Sequence, residues 1–79
     1  MSTSTAKARP VAKSVRVTAS DLIVELADGR TISVPLRWFP RLMGAQRDQL
    51  LNHELLAGGE GIRWPDLDED LSVAGLLRG

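Results

Sequence analysis

An Asp-Gly pair, Asp28-Gly29, lies between two short runs whose side chains alternate in the rhythm of a β-strand. Leu22, Val24 and Leu26 share one side of the run before it, and Ile32 and Val34 share one side of the run after it. The tight turns that match strand twist need positive φ, and Asp-Gly is the pair that accepts it most readily. The segment therefore reads as a β-hairpin. Upstream, Val15 and Val17 alternate with Ser14, Arg16 and Thr18, and Ser20-Asp21 supplies a second turn. From Val11 to Val34 the chain is expected to form an antiparallel meander of three strands. Pro35 lacks a ladder donor and is expected to end it.

Past Pro35 the pattern breaks into short pieces. The stretch from Leu36 to Met43 reads as a helix starting near Arg37, with a 3₁₀ turn as the alternative, because Pro40 is tolerated only in a first turn. Gly44 suits the position just after a helix. Gln46 to Asn52 reads as a second short helix with Leu50 and Leu51 facing inward. His53 to Leu56 reads as a short strand, Gly58-Gly59-Glu60-Gly61 as a loop, and Ile62-Arg63-Trp64 as an extended segment stopped by Pro65. Ser72 is a good N-cap for a last helix from Val73 to Leu77. The expected fold is α+β: a small antiparallel sheet of three to five strands packed with two or three short helices.

The chain has 79 residues, enough for one domain with a thin core. Residues 1–10, rich in Ser, Thr, Ala and basic residues, are expected to be a disordered tail, and residues 11–79 the domain. There is no cysteine, which excludes disulfides and thiolate metal sites and fits a reducing cytosol. No apolar run approaches the roughly 20 residues that span a bilayer, and the N-terminus has no apolar segment of secretory type. A cytoplasmic protein with no membrane contact is expected.

Net charge is zero, but the charges are polarised. Lys7, Arg9, Lys13 and Arg16 precede every acid, whereas Asp66, Asp68, Glu69 and Asp70 crowd one short stretch near the other end. A neutral chain has little long-range attraction for nucleic acid. The acidic stretch opens like an EF-hand loop, D-x-D-x-D, but Leu71 stands where the sharp turn needs glycine and Leu77 where a bidentate Glu is needed. The acids suit the positive end of the last helix, or a basic partner surface. The glycines at 58, 59 and 61 are followed by no Lys-Ser/Thr, so a hairpin connection is a better reading than a phosphate loop. His53 is the only histidine, and nothing marks a nucleophile beside it. No catalytic residue, metal site or cofactor is expected, and the chain is read as non-enzymatic. Trp38, Phe39 and Trp64 are all the aromatics; core is the simplest role for them, and one left exposed beside Arg37, Arg41 or Arg63 would make a binding hot spot.

Several separated elements together resemble the family known as domain of unknown function 2442. They are Asp28-Gly29, Val34-Pro35-Leu36, Trp38-Phe39-Pro40-Arg41-Leu42, Trp64-Pro65, the run from Asp66 to Ser72, and Leu76-Leu77. The likeness runs from Val11 to Gly79 and departs at Arg63, where the family pattern implies histidine. It implies a meander, a short helical segment and no catalytic residues. It also implies a small prokaryotic protein of the kind encoded in toxin–antitoxin-like pairs or carried by phages as inhibitors of host defence, anti-CRISPR proteins among them.

The expected function is thus a stoichiometric inhibitor or regulator in a prokaryotic conflict system. The leading form is an anti-CRISPR-type protein that blocks DNA binding by an effector complex through an acidic, DNA-mimicking surface. An antitoxin-like partner of a neighbouring toxin, and a nucleic-acid-binding module using the basic N-terminal arm, are the alternatives. The expected partner-binding residues are Asp66, Asp68, Glu69, Asp70, Trp38, Arg37, Arg41 and Trp64. The expected partner is a protein, and a homodimer through a free sheet edge stays open.

Overall fold

The computed structural model describes residues 10–78. Apart from Pro10, the expected basic tail lies outside the described residues.

The meander forms as the alternation requires. Strands β1 (Ala12–Val17), β2 (Asp21–Leu26) and β3 (Thr31–Pro35) make an antiparallel sheet in the order β1-β2-β3. The register sets Val15 opposite Val24 and Val17 opposite Leu22, and on the other side Val24 opposite Ile32 and Leu22 opposite Val34. These side chains share one face, and Leu22 and Val24 are wholly buried. A bulge at Lys13 corrects the parity upstream: Ala12 pairs with Leu26 while Ser14 pairs with Glu25. The extra residue turns Ala12 into the core as well as Val15. Pro35 ends the ladder, as its last rung opposite Asp21.

The hairpin turn is one residue longer than the tightest Asp-Gly type. Gly29 sits at φ 99°, but Asp28 is not left-handed. The Gly29 N–H donates to the Leu26 carbonyl (3.1 Å), and the Leu26 N–H donates to the Arg30 carbonyl (2.8 Å). This is a three-residue loop with its glycine in the left-handed position. Asp28 accepts from the Arg30 N–H (3.0 Å) and from its guanidinium (2.8 Å). The backbone bond foremost, and the guanidinium after it, hold the Asp28 carboxyl below the usual carboxylate range.

The expected helix at 36–43 is split in two. A 3₁₀ turn covers Leu36–Trp38, and helix α1 covers Pro40–Met43 with Pro40 at its first position. Phe39 between them is extended (φ −125°, ψ 85°), because a proline drives the residue before it out of helical conformation. Gly44 follows α1 at φ −93° and is not left-handed. Helix α2 (Arg47–Leu51) buries only part of its expected face. Leu50 packs on the core, but Leu51 is 66% exposed. Adjacent helical residues point about 100° apart, so a helix of this length turns one of the two leucines outward.

The second half forms another antiparallel sheet, β4 (Glu54–Leu56), β5 (Gly61–Trp64) and β6 (Glu69–Ser72), in that order. A turn at Ala57–Gly59, whose three residues all have positive φ (50°, 68° and 106°), joins β4 to β5, and a 3₁₀ turn at Pro65–Leu67 joins β5 to β6. Strand β6 corrects the expectation that the acidic stretch is only a lead into the last helix. Helix α3 (Val73–Arg78) follows it directly, and its first turn holds no acid. Its expected cap is present: the Gly75 N–H donates to Ser72 Oγ (3.1 Å). The fold is α+β, with two three-stranded sheets and short helices. One core joins both halves: Leu22, Val24, Leu26 and Val34 from the first sheet meet Ile62 and Trp64 from the second, with Leu36, Leu42, Val73 and Leu76 from the helical pieces.

Candidate protein-binding surfaces

The acidic stretch is built as a turn whose charges are largely met from within. Asp68 ends the last 3₁₀ turn in the left-handed conformation (φ 52°, ψ 44°), which Asp tolerates better than most residues. This places its backbone and carboxylate between two arginines. Arg41, from α1, donates to the carbonyls of Leu67 (3.3 Å) and Asp68 (2.9 Å), with the Asp68 carboxylate 4.0 Å away. Arg63, in the middle of β5, donates to Asp70 (2.9 Å) and lies 3.8 Å from Asp68. Asp70 is the cross-strand neighbour of Arg63, so the pair follows from the β5–β6 register. Asp66 accepts from the Asn52 side-chain amide (3.1 Å). Among the described residues, Asp66 and Glu69 are the acids of this stretch with no cation paired to them.

The two tryptophans part company. Trp64 has no exposed surface, and its indole N–H donates to the Leu50 carbonyl (3.1 Å). A partner docking on this surface cannot reach it, so Trp64 leaves the set of expected contact residues. Its size and its satisfied polar atom make it the centre of the core. His53 stands against it, with ring centroids 6.1 Å apart. Trp38 is 50% exposed. It lines a groove of about 210 Å³ together with Phe39, Leu71 and Leu76, where Asp70, Ser72 and Gly75 complete the wall. Arg37 beside it is exposed and makes no ion pair among the described residues.

Of the eight expected contact residues, the fold thus gathers Asp68, Asp70 and Arg41 into one internally neutralised turn. It sets Trp38 at a groove that Asp70 also walls, leaves Arg37 free beside Trp38, and removes Trp64. Sequence reasoning missed Leu71 and Leu76 as groove walls. The available signal was the alternation of Leu71 with Asp70 and Ser72, masked by the acids around it. Among the described residues no group of three or more His, Asp or Glu side chains is placed to hold a metal ion, and no helix is long and apolar enough to cross a membrane.

The model of a family described as "Protein of unknown function (DUF2442)" matches residues 12–79. This chain belongs to that family. A DUF2442-like fold is also evident in solved structures. A protein of unknown function from Rhodospirillum rubrum is 39% identical, with a TM-score of 0.78 over 91% of this chain and 89% of its own. An uncharacterised protein from Chromobacterium violaceum, solved by solution NMR, is 27% identical, with a TM-score of 0.71 over 86% of this chain and 64% of its own. No curated protein matches the chain. Within the elements that carried the DUF2442 resemblance, Asp28-Gly29 makes the hairpin, Pro40 opens α1, and Trp64 fills the core. Arg63 is the cation that holds Asp70.

Proposed function

We propose that this chain is a non-catalytic, stoichiometric binding protein of the cytoplasm that docks on a protein partner with Trp38 as its anchor. The observation that carries the reading is the half-exposed indole at the mouth of an apolar groove. A large aromatic left in water by a chain with so few aromatics is the side chain that gains most from burial at an interface. Asp70 stands on the groove wall but is paired to Arg63, so Asp66 and Glu69, on the turn and strand next to it, are the acids left for a partner's cations. A partner that offers an apolar socket for the indole with basic groups nearby suits it. The anti-CRISPR form of this reading makes that partner the DNA-binding surface of a prokaryotic effector complex. There the unpaired acids Asp66 and Glu69 would meet arginines or lysines that otherwise hold phosphates.

The test is competition. Wild-type protein is added to a host effector complex and its target DNA, and DNA binding is measured beside Trp38→Ala and Asp66→Lys/Glu69→Lys. Inhibition by the wild type, weakened about 30-fold in Trp38→Ala as hot-spot truncations are, supports the reading. Equal inhibition by Trp38→Ala would remove Trp38 as the anchor. Rescue of growth from a neighbouring toxin, without any effect on DNA binding, would make the protein an antitoxin instead.

A further inference from the structure

A second surface lies between the outer edge of β1 and helix α2, and it shares no lining residue with the Trp38 groove. The groove measures about 480 Å³ and is lined by Val15, Arg16, Val17, Thr18, Arg47, Leu50, Leu51 and His53. Among the described residues β1 pairs only with β2, and no strand lies beside its other edge. At its start that edge is covered by the turn after β4, where Gly59 abuts Ala12. From Val15 to Thr18 it opens onto the groove. The floor and far wall are apolar, and they include Leu51, the most exposed large apolar side chain among the described residues. The charged lining is all of one sign: Arg16 and Arg47 are both exposed, and neither has an anionic partner among the described residues. His53 Nδ1 is buried there without a hydrogen-bond partner.

We infer that this groove receives an extended acidic–apolar segment of a protein partner, added as a fourth strand beside β1. Strand addition satisfies the free backbone groups of an edge, and pockets for alternate side chains supply the selectivity. Alternate residues of an added strand point to opposite faces. On one face its apolar side chains would cover Val15, Val17, Leu50 and Leu51; on the other its acids would lie beside Arg16, with Arg47 closing the end. The first ten residues of the chain carry only Lys7 and Arg9 as charges, so they bring no anion of their own to this site. From Val15 to Thr18 the edge is blunted only by the charge of Arg16, which an acidic partner would meet; the other devices, Lys13 and the bulge, lie upstream.

The probe is a synthetic peptide of about eight residues that alternates Glu and Leu, with a Lys–Leu peptide as its control. Binding is followed by NMR shifts and by hydrogen exchange on the full chain. The acidic peptide is expected to shift amides of β1 and α2 and to slow exchange along the outer edge of β1. Arg16→Glu/Arg47→Glu should weaken it at least about tenfold, with Arg16→Gln/Arg47→Gln intermediate, because close charge pairs across an interface couple by that much or more. Both arginines are exposed, so the variants should fold, and circular dichroism checks that they do. The inference falls if the shifts map elsewhere, if the Lys–Leu peptide binds as well, or if the reversed variant binds unchanged. It falls equally if decanoate fills the groove while the peptide does not, which would assign it to a free amphipathic anion. Self-association abolished by the arginine reversals would assign it to a second copy and also overturn it. None of these outcomes bears on Trp38.

Discussion

Gly59 and Gly29 both hold left-handed conformations, at φ 106° and 99°, yet they answer to different constraints. At Gly29 nothing lies within 4 Å of where a Cβ would stand. An alanine there meets only backbone strain of about 1–2 kcal/mol. At Gly59 a Cβ would lie 2.6 Å from the Ala12 carbonyl oxygen and 3.1 Å from its nitrogen. Those are backbone atoms of a sheet strand and cannot step aside, so strain and overpacking add to roughly 3–4 kcal/mol. Urea denaturation of Gly29→Ala and Gly59→Ala should show that order clearly. Equal losses would mean that the turn after β4 moves away from β1 at little cost. The need for glycine at 59 could not be read locally, since the atoms it must clear lie far away in sequence. The hairpin role of Asp28-Gly29 could, because it rests on neighbours.

The same division holds for whole elements. Strands β1 to β3 were legible because apolar and polar residues alternate along them and the turns carry their own residues. Strand β6 was not, because Glu69 and Asp70 are poor strand formers by composition. What makes them a strand is the neighbour: Leu71 lies opposite Ile62 and Asp70 opposite Arg63, and neither pairing is visible before β5 and β6 are known to pair. For the same reason the acidic stretch looked freer for a partner than it is. Helix α3 is a case where the local signal was sufficient. Ser72 caps it, and Val73 and Leu76 are its buried face. A six-residue helix has little stability of its own, so its cap weighs on its placement. Ser72→Ala should cost about 1 kcal/mol in thermal or urea unfolding. Ser72→Asp should retain most of that stability, since Asp caps as well. If Ser72→Ala unfolds like the wild type, α3 is held by Val73 and Leu76 alone.

At the scale of the molecule, the two sheets are not independent units, although each is a meander of local contacts. The core that buries Leu22 and Val24 of β2 is the core that buries Ile62 and Trp64 of β5. Hydrogen bonds also tie distant pieces together: Trp64 to the Leu50 carbonyl, Arg41 to the turn before β6, and the Val73 N–H to the Glu60 carbonyl (3.0 Å). Removing either sheet returns the apolar face of the other to water, in a chain whose core is thin to begin with. Both sheets should therefore unfold in one transition. A Trp38→Phe chain retains a single indole, that of Trp64, so its fluorescence reports the packing of β5 in the shared core, while far-ultraviolet circular dichroism reports the secondary structure of both sheets. In urea the two curves should superimpose with one midpoint, and the slope should be about 1 kcal/mol/M, as expected for a domain this small. A fluorescence change that precedes the loss of circular dichroism would show β5 leaving the shared core while secondary structure persists. It would also show that the meander carries its own stability, and that the shared core is not what holds the chain together.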